Sequence, residues 1–165
     1  MPLQFSIEEV FEIAEQIERN GARYYQKAAN QVDDQNYKRL FLDLVDMEKK
    51  HERVFAYLKE KIAERKLAPD YLDPDASAVR YLRTFADGAV FDLNADPSEY
   101  LSTNRSLEDI LNYAIGLEKD SIVFYYGIQE LIPEDLGKDR IHTIIKEEMK
   151  HIIFLNDKIK ALRDL

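Results

Sequence analysis

Two Glu-x-x-His segments, Glu48-Lys49-Lys50-His51 and Glu148-Met149-Lys150-His151, carry two of the three histidines of the chain. Residues three apart on a helix share a face, so the carboxylate and the imidazole of each segment can reach one cation. A further glutamate precedes each segment, Glu18 before the first and Glu118 before the second. Glu18, Glu48 and His51 recur as Glu118, Glu148 and His151, each shifted by 100 residues. Ser6, Ala14 and Tyr25 recur in the same way as Ser106, Ala114 and Tyr125, which is the pattern of a duplicated helical hairpin. Four carboxylates and two imidazoles suit a pair of divalent cations, the −4 of the acids matching the +4 of the ions. Oxygen-rich ligation with one imidazole per ion fits iron or manganese better than a structural zinc site.

Long helices are needed to hold such a set. Ser6 followed by Glu9 reads as a capping box, and Ser106 followed by Asp109 repeats the signal. Only Gly21 interrupts the helical run from Ser6 to about residue 31. The polar turn Asp33-Asp34-Gln35-Asn36 leads into a second run to about Arg65, a third covers Leu107 to about Leu131, and after Pro133 a fourth reaches the C-terminus. Apolar residues follow an alternating four-three spacing: Phe11, Ala14, Tyr25 and Ala28 on the first helix, Phe41, Leu44, Phe55 and Leu58 on the second. Leu111, Ala114, Tyr125 and Ile128 mark the third helix, and Ile141, Ile144 and Leu155 the fourth. Each of these stripes is broken near its middle by one of the four glutamates.

Asp33 lies fifteen residues after Glu18 and fifteen before Glu48, and Pro133 stands in the same relation to Glu118 and Glu148. In antiparallel helices, residues equidistant from the turn face each other, here about 22 Å from it. If the two hairpins pack in inverted orientation, all six side chains meet at one level. Bare carboxylates in an apolar core would be costly, and a metal pair removes that cost. The connection over residues 66–105 contains Pro69, Pro74, Gly88 and Pro97, with short helical patches expected around Ala78–Phe85 and Pro97–Leu101. It is too long for a tight turn and suits a crossover running along a bundle. The expected architecture is one all-α, ferritin-like four-helix bundle over residues 1–165: hairpin 6–65, crossover 66–105, hairpin 106–165.

Around the six candidate ligands, Tyr25 and Tyr125 lie two turns from Glu18 and Glu118 and read either as core filler or as hydroxyls bonded to a ligand carboxylate. Glu15, one turn before Glu18, is a candidate extra ligand, although Glu8, Glu9 and Glu12 make a solvated acidic face the simpler reading. Glu52 and Glu147 fall one position off the seam and read as solvated or as support behind a ligand, and His142 faces away from His151 as a surface or packing residue. Lys158, on the seam near a helix end, is expected to reach outward.

Bulk composition narrows the function. A net charge of −9 argues against nucleic acid or an anionic membrane surface as the main partner. The absence of cysteine excludes disulfides and thiolate metal sites. The N-terminal stretch shows no basic region followed by an apolar run, and no segment approaches the length of a membrane span, so a cytoplasmic location is expected.

On these residues the chain resembles the rubrerythrin-like branch of the ferritin-like di-iron superfamily. The resemblance rests on Glu18, Glu48 to His51, Glu118 and Glu148 to His151, on Tyr25 in the position of the family's tyrosine, and on the crossover stretch from Tyr81 to Phe91. It implies two irons, bridged by Glu48 and Glu148, with Glu18 and Glu118 as terminal ligands and His51 and His151 each holding one ion. It also implies an oxidoreductase that reduces hydrogen peroxide or dioxygen. Manganese and zinc are the alternative metals. Haem is not expected, because position 49 is Lys where haem-binding bacterial ferritins use Met. Full-length rubrerythrins supply electrons through a Cys-ligated rubredoxin domain; without cysteine, this chain needs an external donor, a rubredoxin-like protein or a flavoprotein. The extra glutamate of the family falls on Ile115, with Glu15 at the pseudo-symmetric place. A homodimer is the expected assembly. The alternatives are a ferroxidase or iron-storage protein, and a di-metal oxygenase, which requires an apolar pocket beside the metals.

Overall fold

The computed structural model describes residues 6–67, 72–88 and 92–165; Pro69 and residues 89–91, used in the reading above, lie outside them. Four long helices carry the molecule: α1 (Ile7–Gln31), α2 (Gln35–Arg65), α4 (Leu107–Leu131) and α5 (Lys138–Arg163), with the short α3 (Ser77–Ala86) between the pairs. A 3₁₀ helix spans Pro97–Ser102 and another Glu134–Leu136. Among the described residues there is no strand, and no helix is long and apolar enough to cross a membrane.

The helix starts follow local chemistry. Ser6 and Glu9 close a full capping box, each side chain bonding the other's backbone N–H. At Ser106 only half of the box forms: its hydroxyl accepts from Asp109 N, and the shorter aspartate gives no return bond. Asp34 caps α2 by accepting from Asn36 N and Tyr37 N.

The start of α1 (Ile7, Phe11) shares an apolar cluster with the end of α4 (Phe124, Ile128, Ile132) and with Leu136 of the second turn. The end of α1 (Ala28, Ala29) shares another with the start of α4 (Ile110, Leu111). The hairpins are therefore inverted relative to each other, and the crossover has to travel the length of the bundle. Its α3 packs on one end, where Phe85 meets Phe124 edge-on and Tyr81 donates to Val123 O at 2.6 Å. Gly127 permits that approach, since a Cβ there would lie 2.7 Å from Leu82 and Tyr81. The 3₁₀ helix at Pro97–Ser102 covers the other end, burying Leu101 among Ala28, Leu111 and Tyr24.

The buried face is wider than the four-three seam. Val10, Tyr24, Val45, Ile110, Phe124, Ile145 and Ile159 all lie off it and are fully enclosed. A stripe of this width is what a bundle helix buries when it faces two neighbours rather than one. Lys158 stays half-buried with its ammonium over the rings of Phe154 and Tyr37, while Ile159 takes the core position.

Candidate metal centre

Between the two apolar clusters lies a polar layer. Glu18 and Glu148 are 0% exposed, Glu48 and Glu118 3%, His51 0% and His151 9%. They form two overlapping groups, Glu18–Glu48–His51–Glu148 and Glu48–Glu118–Glu148–His151, within each of which one ligand atom per residue lies within 4.8 Å of the others. Glu48 and Glu148 belong to both. The imidazole rings, one in each group, lie 6.1 Å apart and are inclined by 25°.

The layer is held from outside. Tyr25 donates its hydroxyl to Glu118 Oε1 and Tyr125 donates to Glu18 Oε1, each phenol reaching across to the opposite hairpin. Gly21 gives Glu48 its room, since a Cβ on residue 21 would sit 2.4 Å from Glu48 Oε2. The glycine that interrupts the helical run therefore lies directly against Glu48, whose carboxylate would have to shift for any larger residue there. His51 turns Nδ1 inward, 3.0 Å from Glu148 Oε1 and 3.6 Å from Glu18 Oε2, and Nε2 outward to Glu147 Oε2 at 2.8 Å. Glu147 also lies 3.4 Å from Lys50 Nζ. His151 Nδ1 is 2.8 Å from Glu148 Oε2 but off any hydrogen-bonding direction, so neither atom is satisfied.

Charge and burial pull the titrations apart. Burial first, then neighbouring carboxylates, push Glu18 and Glu48 well above the usual range, and Glu118 up to about 8. Burial also acts against charge on Glu148, but the imidazoles beside it prevail and hold it down to about 2. Burial favours the neutral ring of both histidines and is outweighed by Glu148, Glu48 and Glu147 around His51 and by Glu118 and Glu148 around His151, raising them to about 9 and about 10. Tyr25 and Tyr125 are raised by burial and by the same acids.

Among the described residues, the buried side-chain atoms without a hydrogen-bond partner are Glu18 Oε2, Glu48 Oε1, Glu148 Oε2 and His151 Nδ1, and all four belong to this layer. Buried polar atoms are normally satisfied, so a cluster of orphans signals something they are built to hold. The donor set fits a pair of divalent cations.

The remaining candidates separate cleanly. Glu15 is absent from both groups; it is not on a solvated face either, being 8% exposed and bonded through Oε2 to Lys59 Nζ at 2.7 Å. Glu52 pairs with Arg19 at 2.8 Å, and His142 is exposed, contacting Gln129 at 3.2 Å. Glu147 is the contributor that the seam understated, because it stands one position off the stripe and bonds across to the other hairpin.

The fold is that of a ferritin-like four-helix bundle, and this one buries a layer of carboxylates and histidines in its core. A solved structure from Thermotoga maritima, described as a ferritin-like diiron-carboxylate protein, superposes with a TM-score of 0.70 at 24% identity, covering 94% of this chain and 95% of that one. A family described as DNA ligase-like, N-terminal NAD+-binding domain, matches residues 5–57. That stretch is α1 and part of α2, under half of the chain. No curated protein matches in sequence.

Proposed function

We propose that the protein is a di-iron oxidoreductase of the rubrerythrin-like kind, reducing hydrogen peroxide or dioxygen with electrons from an external donor. The observation that carries the metal part is the set of four orphaned buried donor atoms confined to one layer. Its ligands would be Glu18, Glu48, His51, Glu118, Glu148 and His151. Glu48 and Glu148 would bridge, since each belongs to both groups. The diiron-carboxylate description of the structural neighbour supports iron over manganese or zinc.

When bound, an iron pair supplies two electrons, and peroxide becomes two waters on taking up two electrons and two protons. The chain's own residues prepare the site for that. Tyr25 occupies Glu118 Oε1, and Tyr125 occupies Glu18 Oε1 and leaves Glu18 Oε2 without a hydrogen-bond partner. Glu147 accepts from His51 Nε2, so that an ion displacing the Nδ1 proton would find that nitrogen's lone pair turned inward. The apolar clusters on both sides limit water around the acids. A cytoplasmic homodimer with a rubredoxin-like or flavoprotein donor completes the proposal.

Anaerobic iron loading followed by rapid mixing of the reduced protein with peroxide and with dioxygen is the direct test. About two irons per chain, oxidised much faster by peroxide, is the expected result. Faster reaction with dioxygen and growth of a ferric mineral would replace this reading with ferroxidase and storage. Failure of the folded chain to take up two ions would end it.

A further inference from the structure

Beside the polar layer, between α1, α4 and residues 92–97, lies a cavity of about 220 Å³. Glu48 and Glu118, both buried ligands of the layer, are among its lining residues. Ile17, Tyr25, Tyr113 and Leu117 give it apolar walls. Asp92, Asp96 and Asp120 stand around it, and no Lys, Arg or His is among its lining residues. Asp96 is engaged by Arg23 and by Ser98 N, and Asp92 by Asn94 N. Asp120, half-buried, makes no hydrogen bond or ion pair among the described residues. Leu93 O, accepting from Asn20 at 3.4 Å, and the Arg23–Asp96 pair at 3.2 Å fasten the 92–97 segment over α1.

We infer that this cavity binds a small organic cation, an amine on an aromatic or aliphatic body, against the carboxylate end of the metal centre. The inference goes beyond the proposed function and rests on it only for the identity of the floor. Size decides against dioxygen or peroxide as the intended occupant, since an aliphatic cavity of about 150 Å³ already holds benzene. Charge decides against carboxylates and phosphates, which would meet five acids and no cation among the lining residues. Hydrated metal ions gain nothing from four apolar walls, which a ring or alkyl chain fills. An ammonium group would give Asp120, whose nearby charge is the adjacent Lys119, a hydrogen-bond partner, while the body lies on Tyr113 and Leu117.

The probe is benzylamine, with benzyl alcohol and benzoate as neutral and anionic counterparts. They are titrated into full-length, isotope-labelled, zinc-loaded protein and followed by amide chemical shifts and calorimetry. Benzylamine is expected to bind about tenfold more tightly than benzyl alcohol, as a charge-assisted contact requires, with benzoate undetectable. Shifts should concentrate at Gly21, Tyr113, Leu117 and Asp120. Asp120→Asn should bring benzylamine to the level of the alcohol, and Leu117→Trp should abolish both. Circular dichroism checks folding, and Ala95→Leu is the milder blocking variant if Leu117→Trp does not fold. Benzoate binding as well as benzylamine, shifts elsewhere, or an unaffected Asp120→Asn would overturn the inference. Zinc content is measured on the same samples. Two ions per chain without amine binding removes the cavity assignment alone. Amine binding with the expected shift pattern in a chain that takes up no zinc upholds the cavity and removes the metal reading.

Discussion

The two halves of the polar layer contain the same three residues, yet their surroundings have diverged. His51 is fully buried and backed by Glu147 at 2.8 Å. The equivalent position behind His151 is Met47, and His151 lies at the edge of a groove that it shares with Met47, Leu44 and Phe154. Below the first half, Glu15 and Lys59 form an ion pair; their counterparts, Ile115 and Ile159, are apolar core. Tyr24 sends its hydroxyl to Ile110 O at 2.6 Å, whereas Phe124 at the equivalent place packs against Phe85. The difference teaches which parts of a duplicated hairpin are interchangeable. The cage is repeated, and the groups that tune each histidine are not. An imidazole backed by a carboxylate is the stronger donor, so the His51 side should hold its ion more tightly.

The largest effect should come from a residue that both halves share. Glu148→Ala removes a donor from each group, and metal analysis should show uptake falling from about two ions per chain to one or none. Retention of both would break the picture of a shared layer. Glu147→Gln should weaken only the tighter ion, by about 10- to 100-fold, while Met47→Glu should strengthen the other. Stepwise metal titration reads both, and equal responses of the two ions to Glu147→Gln would erase the asymmetry. Lys59→Met leaves Glu15 nearly enclosed without its partner and should cost about 1–3 kcal/mol in denaturant unfolding. The double change Glu15→Ile with Lys59→Ile copies the other half and should recover most of that loss; a double variant as unstable as Lys59→Met would show that the halves are not interchangeable there.

The smallest effect is one of pH. Groups whose folded values are raised stabilise the fold below their unfolded values, and that stabilisation is lost as pH climbs through the folded ones. Glu118 at about 8, His51 at about 9 and His151 at about 10 all act in this sense, as do Glu18 and Glu48. Glu148, held at about 2, acts oppositely, and its contribution is lost only in acid. The melting temperature of the metal-free protein should therefore fall from about pH 5 to about pH 9, and metal loading should flatten that slope by displacing the protons. A metal-free protein that becomes more stable over this interval would contradict the charge pattern of the layer.

Much of this architecture was legible in the sequence because it depends on counting. The distances of Glu18, Glu48, Glu118 and Glu148 from Asp33 and Pro133 set the height of the layer, and Ala78–Phe85 and Pro97–Leu101 marked short helices found at Ser77–Ala86 and Pro97–Ser102. What counting along one helix cannot give is contact between helices. Gly21 looked like a tolerated flaw because its role exists only against Glu48. Glu15 looked solvated because Lys59, which pairs with it, lies 44 residues away. The cavity escaped notice because its wall comes from residues 92–97, a stretch without periodicity.

The inverted packing of the hairpins has a consequence for assembly. Each four-residue group draws on both hairpins: three ligands from the first and Glu148 from the second, or Glu48 from the first and three from the second. Ions held there would act as clasps between two locally folding units whose covalent link is a long tether. If that link were cut within the crossover, the fragments would reassociate in a metal-dependent manner, with the ions replacing the tether's effective concentration. The polar layer would then serve as a docking code between hairpins as well as a reactive site.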